Sequence, residues 1–368
     1  MSGSRLPVTE SLDSLLAHVR YVVDTGTVVD AGAFLADALA DPVILAVLLG
    51  SALALAAVLG GYLRLRPAQR DVKALRSALS DYRDLLPWLV RLSLGLPLIG
   101  AGFVGYFFTP LVGAASLDPL FGTASGAVVR LFGVAVGFLL LFGLATRTVA
   151  AVGLLAYLLG VVAFGSPMFF AFEYVPGFLA AVLLGGGRPS ADHVLAQLAD
   201  DDRTLYSRLD PVYRRFAVPF GERVGPYRAF VGPVVRVGLG LTFAFLGIAE
   251  KLAAPGLALA TVEKYDLTAV IPVAPELWVV GAGLAELLVG VVLILGLFTR
   301  TFAGVALLLF TTTLFGLPDD PVLAHISLFG LASVLIVTGA GPFSLDEWLA
   351  DRPVGATTDE ETPARMVD

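Results

Sequence analysis

Apolar residues in this chain fall in long blocks, at about 43–63, 88–108, 128–144, 148–165, 170–186, 234–252, 277–297, 301–317 and 322–340. Several approach or exceed the roughly 18–20 residues that a helix needs to cross the hydrocarbon core of a bilayer. A segment in lipid satisfies its own backbone groups only as a helix, so the blocks predict nine transmembrane helices. Polar, charged stretches separate them, the longest being 64–87 and 187–233.

The blocks are not independent of one another. LLFGLATRTVA at 140–150 is nearly repeated as LILGLFTRTFA at 293–303, and YRDLLPWLVRLSLGL at 82–96 aligns with YRAFVGPVVRVGLGL at 227–241. GGGRPSAD at 185–192 aligns with GAGPFSLD at 339–346. Matching landmarks with a slowly drifting offset indicate an internal duplication. The expected organisation is an N-terminal segment over 1–42, a first span and basic loop over 43–87, copy one over 88–192, a linker over 193–233, copy two over 234–350 and a disordered acidic tail over 351–368. The fold class is therefore an all-α integral membrane protein, with two tandem four-helix transmembrane bundles and one extra N-terminal span. Four spans per copy make the repeat parallel, unlike the inverted repeats of many transporters.

Charge sets the expected orientation. The loop 64–87 carries Arg64, Arg66, Arg70, Lys73, Arg76 and Arg83, whereas 1–42 carries only Arg5 and Arg20. The positive-inside rule then puts the N-terminus outside the cell membrane and the C-terminus, after nine spans, inside. Ser344 and Glu347 have the spacing of a helix capping box, and Ser190 and Asp192 stand at the equivalent places, so each copy is expected to close with a short helix on the inner surface. Residues 11–23 have helical apolar spacing and are expected to lie on the outer interface.

Composition narrows the chemistry. The chain is 57% hydrophobic and 15% charged, with 31 Asp and Glu against 24 Lys and Arg, so no sustained basic surface exists for a nucleic-acid partner. The Asp-rich, Lys-poor balance suits a salt-loving prokaryote. With 0 cysteines, thiol redox chemistry and cysteine-ligated iron–sulfur clusters are excluded. The start of the chain lacks the basic-then-apolar pattern of a cleaved signal peptide.

Ionisable residues inside apolar blocks are the most informative, because an unpaired charge in hydrocarbon is costly. Copy two has a set of them. Glu286 lies about 13 Å from the outer end of its span at 1.5 Å per residue. Glu250 and Lys251 close span six and His325 opens span nine. These can converge on a pocket opening outward, with Lys251 as partner to Glu286, or the pair can simply lock the bundle. No second histidine lies near His325, which argues against a bis-histidine haem or a zinc site. Arg91, Arg147, Arg236 and Arg300 stand at inner helix ends, as anchors or as binders of an anion or headgroup, with Arg236 and Arg300 as candidate cofactor-binding residues. In copy one, Tyr106, Gly133 and Phe172 occupy the places of Lys251, Glu286 and His325, while Arg130 and Glu173 form a separate candidate pair.

Copy two also resembles the DoxX/DoxD-like family of four-helix membrane proteins. The residues that carry the resemblance are Arg236-Val-Gly-Leu-Gly-Leu241, Gly247 with Lys251-Leu252, Gly281 through Glu286 to Gly290, Leu295-Gly-Leu-Phe-Thr-Arg300 and Gly339-Ala-Gly-Pro-Phe-Ser-Leu-Asp346. It covers 234–350 well and 88–192 more weakly. The resemblance implies a membrane protein tied to redox chemistry, some relatives being membrane subunits of a thiosulfate:quinone oxidoreductase. On that reading Lys251 binds an anion or quinone oxygen, Glu286 handles the proton with His325 nearby, and a soluble or membrane redox partner is needed. A non-catalytic scaffold and a small-solute or proton-linked carrier are the other readings the residues allow.

Overall fold

The computed structural model describes residues 28–65, 67–209 and 213–350. The expected interfacial helix at 11–23 and the tail at 351–368 lie outside them. The described residues begin with two helices, α1 (Ala31–Ala40) and α2 (Pro42–Leu65). Helix α3 (Gln69–Ser80) follows. The next bundle comprises α4 (Leu86–Val104), α5 (Ser125–Phe142), α6 (Thr146–Phe164) and α7 (Tyr174–Leu184), closed by α8 (Ala191–Asp200). The last comprises α9 (Val231–Leu246), α10 (Pro255–Lys264), α11 (Pro275–Leu295), α12 (Thr299–Gly316) and α13 (Val322–Thr338), closed by α14 (Leu345–Ala350). The protein is thus an all-α membrane protein, apart from a small ribbon in which Tyr106–Phe107 pairs with Thr109–Gly113.

All nine predicted blocks contain a helix, but among the described residues 7 helical stretches are long and apolar enough to cross a membrane by themselves. The last helix before the closing one falls short in each set. Helix α7 has 11 residues and α13 has 17. At 1.5 Å per residue, α7 is about 16 Å long against a hydrocarbon core of about 30 Å. The first residues of its predicted span, 170–173, instead finish a 3-10 segment, Ser166–Ala171, and a turn.

Small residues let the first two long helices of each set touch backbone to backbone, the usual means of association where lipid provides no hydrophobic drive. A Cβ on Gly95 would lie 2.8 Å from the Gly137 carbonyl, and one on Gly240 would lie 2.6 Å from the Gly290 carbonyl. The two sets then exchange partners. Helix α13 packs on α4, and α7 packs on α9. Gly330 admits Ser93 at the first contact, and Gly238 admits Pro176 at the second. One continuous apolar core runs through both sets, including Leu94, Phe178, Leu239 and Leu335.

A hydrogen-bonded framework recurs at the arginine-bearing end. Ala145 and Phe298 both take left-handed backbone (φ 49°), an uncommon conformation for side chains with a Cβ. Each is held by an aspartate from the closing helix. Asp192 accepts from the N–H of Ala145 and Thr146 at 2.6 and 2.9 Å, and Asp346 accepts from Phe298 and Thr299 at 2.7 and 2.9 Å. These carboxylates also face the positive ends of α6 and α12. Ser190 and Ser344 cap α8 and α14 through the N–H of His193 and Glu347. The return bond of Glu347 goes to the Phe343 N–H at 2.9 Å, one residue before the position a capping box uses.

Candidate functional site

Helix α9 does not end cleanly. Its last turn widens into a π-helical segment, Gly247–Leu252, of the kind that often marks functional positions. Gly247 permits this next to α11, where a Cβ would lie 2.6 Å from the Gly283 carbonyl. The wider turn presents Glu250 and Lys251 to α11. Lys251 Nζ lies 2.9 Å from Glu286 Oε2 and 3.7 Å from Glu250 Oε2. Pro255 then starts α10, which covers the turn.

A second charged pair forms at the entry to α13. His325 Nε2 is 3.5 Å from Asp320 Oδ2, and its Nδ1 is 3.2 Å from the Pro321 carbonyl. Both side chains are buried. Burial pushes the Asp320 carboxyl above its ordinary range, against the lowering pull of His325 and Lys251.

Both pairs line one cavity of about 250 Å³ between α9, α11, α12 and α13. Its walls are mainly apolar, with Phe243, Leu246, Trp278, Leu309 and Phe310, and Thr312 and Thr313 add hydroxyls. Trp278 and Glu286 share a face of α11 at a spacing of two helical turns. The indole Nε1 of Trp278 and Oδ1 of Asp320 are buried without a hydrogen-bond partner. A larger hollow of about 410 Å³, near Val262, Asp266 and Glu276, is lined by none of the predicted site residues.

At the cavity's edge, Asp319 accepts from Lys264 Nζ and from the Tyr265 hydroxyl, each at 2.8 Å, tying the end of α10 to the α12–α13 loop. These bonds hold the Asp319 carboxyl below its ordinary range, and the bond to Asp319 raises the Lys264 ammonium.

The structure therefore gathers Glu250, Lys251, Glu286 and His325, and adds Asp320 and Trp278, which sequence reasoning missed. Asp320 follows Asp319 in a loop and gives no pattern signal, while Trp278 reads as one more apolar helix residue. The arginines stand elsewhere. Arg236 is buried at the framework end, donating from Nε to Ala340 O at 3.1 Å, from Nη1 to Ile294 O and from Nη2 to Phe343 O. Arg300 donates to Ile336 O and Val337 O, and Arg147 donates to Val182 O. Arg91 donates to Pro189 O. Arg130 is exposed, and Glu173 pairs with Ser327 in its place. Among the described residues, no three His, Asp or Glu side chains gather as a metal site.

No curated protein and no solved structure matches the chain. A family model described as DoxX matches residues 233–318, a stretch that includes Lys251 and Glu286 and ends just before Asp320 and His325. The cavity thus lies across the edge of the matched stretch, and residues 233–318 of this α-helical membrane protein are similar to the DoxX family.

Proposed function

We propose that the cavity binds a small apolar molecule with a carbonyl head, of the quinone class, and that the protein is the membrane subunit of a redox system completed by a partner protein. The observation that carries this reading is the convergence of Glu250, Lys251, Glu286, Asp320 and His325 on one apolar-walled cavity. Ligand sites commonly combine apolar walls with a few convergent polar groups, at volumes of about 300–1,000 Å³. A cavity of about 250 Å³ suits a single ring or a head group better than a flavin or dinucleotide.

The residues present fit such a head. The Trp278 Nε1–H is a buried donor lacking an acceptor. Lys251 has three donors, of which its two carboxylate neighbours need only part. A bound quinone supplies reversible two-electron, two-proton chemistry that amino-acid side chains do not. Lys251 and Trp278 orient the carbonyl oxygens, Glu286 and His325 hold or deliver protons, and the apolar walls exclude water. Three carboxylates around one lysine repel a free anion, so the cluster favours a neutral carbonyl compound over a sulfur oxyanion.

We place the arginine-bearing end at the cytoplasmic face by the positive-inside rule, so that the cavity lies in the outer half. The recurring framework supports reading the two sets as duplicated copies of one four-helix unit. Under a scaffold reading, favoured by the same Lys251–Glu286 bridge between α9 and α11, Glu286→Gln lowers stability and alters no reaction. Quinone content of protein purified in mild detergent, together with quinone reduction by membranes carrying wild type or Glu286→Gln, separates the two. The redox reading expects bound quinone and reduced turnover in the variant. Absence of quinone with unchanged turnover overturns it.

A further inference from the structure

A third buried acid lies outside the cavity, where the two helix sets meet. Glu173 immediately precedes α7 and is 3% exposed, and Ser327 on α13 is 0% exposed. Ser327 Oγ donates to Glu173 Oε1 at 3.0 Å across a sequence separation of 154 residues. That separation equals the one between Val182 and Ile336, which accept from Arg147 and Arg300, and between Asp192 and Asp346. Glu173 and Ser327 are therefore equivalent positions of the two sets, meeting face to face at the joint. Counting from Val182, Glu173 stands about 14 Å above the arginine-bearing end, well within the hydrocarbon thickness.

Glu173 has no counter-charge there. Among the described residues no Lys, Arg or His nitrogen forms an ion pair with it, and its Oε2 is buried without a hydrogen-bond partner. The titratable groups that face it are the phenols of Tyr106 from the ribbon, Tyr157 from α6 and its own neighbour Tyr174. Tyr157 already donates to Met168 O at 2.6 Å. A bare carboxylate in this setting is far more costly than a neutral carboxyl with one unsatisfied O–H. Among the described residues no three His, Asp or Glu side chains gather there as a metal site.

We propose that Glu173 is a proton-binding site on the joint between the two halves, carrying a proton on its carboxyl while Ser327 holds the other oxygen. Removing the proton, by breaking the O–H bond and releasing H⁺ to solvent, places an unpaired charge between α7 and α13 and loosens the joint. The test uses the full chain in detergent. Infrared difference spectra of wild type against Glu173→Gln at neutral pH should show a protonated-carboxyl C=O band present in wild type alone. Ser327→Ala should keep that band and shift its frequency, since one oxygen loses its donor; this arm stands even if Glu173→Gln fails to fold. Glu173→Gln, a mimic of the neutral acid, should melt with wild type at neutral pH and outlast it as pH rises. Three results overturn the proposal: no carboxyl band at neutral pH, parallel loss of stability in both proteins on the alkaline side, or a Glu173-dependent stabilisation by sodium or potassium that marks a cation site.

Discussion

Among the described residues lining the cavity Lys251 is the one lysine or arginine, and Lys251→Met tests whether the cluster is electrostatically coupled. In the native arrangement Lys251 Nζ stands 2.9 Å from Glu286 and 3.7 Å from Glu250, with the lysine and Glu286 side chains each 20% exposed and Glu250 6%. The substitution removes the ammonium that stands between Glu250 and Glu286 and leaves both beside Asp320 and His325 on the cavity wall. Breaking a buried ion pair by removing one partner costs about 3–5 kcal/mol. Glu286→Gln is milder, because Lys251 keeps Glu250; the loss is one charged hydrogen bond, about 1.5–3 kcal/mol. The double variant should be less damaging than the sum, by a coupling of about 0.5–3 kcal/mol. Equilibrium unfolding in mixed detergent micelles, followed by circular dichroism, measures all three. If Glu286→Gln costs as much as Lys251→Met, or the double variant is additive, Lys251 does not neutralise the cluster and the reasoning fails.

Other expectations follow from the same geometry. Gly290→Ala forces a Cβ to within 2.6 Å of the Gly240 carbonyl and should cost about 1–3 kcal/mol, whereas Gly281→Ala, with nothing within 4 Å, should leave the melting temperature unchanged. Asp346→Ala removes both bonds that hold Phe298 and Thr299 at the start of α12 and should cost about 0.5–2 kcal/mol in the same unfolding assay. Because the Asp319 carboxyl is held below its ordinary range, its bonds to Lys264 and Tyr265 persist through neutral pH. Their contribution should be lost only as pH falls through that depressed value, and high salt should weaken it, as proteolysis of the α10–α11 region across pH and ionic strength would show.

Much of the fold is legible in the sequence because bilayer physics leaves few choices. Length and apolarity place α2, α4, α5, α6, α9, α11 and α12, and the repeated Thr-Arg strings fall at matching helix starts. Helix α7 is shorter than its apolar block, because the part of the block before it adopts 3-10 and turn geometry, which hydropathy cannot distinguish from α-helix. The site is half legible. Glu286 and Lys251 announce themselves as charges in apolar runs, and their pairing follows from depth. Asp320 does not, since a loop acid is ordinary until tertiary packing buries it beside His325. The proposed Arg130–Glu173 pair fails because depth along a helix says nothing of which face a side chain takes, and Arg130 faces outward.

Binding of a quinone-class molecule in the cavity beside Glu286 can be read directly from Trp278 on its wall. With Trp88 and Trp348 replaced by Phe, Trp278 becomes the one emitting tryptophan of the chain's 3. A short-chain quinone titrated into the purified protein should quench that emission saturably, and Lys251→Met should raise the half-saturating concentration about tenfold or more, equivalent to about 1.4 kcal/mol of binding. Quenching that stays linear with quinone concentration, and that is identical in wild type and Lys251→Met, would contradict the account.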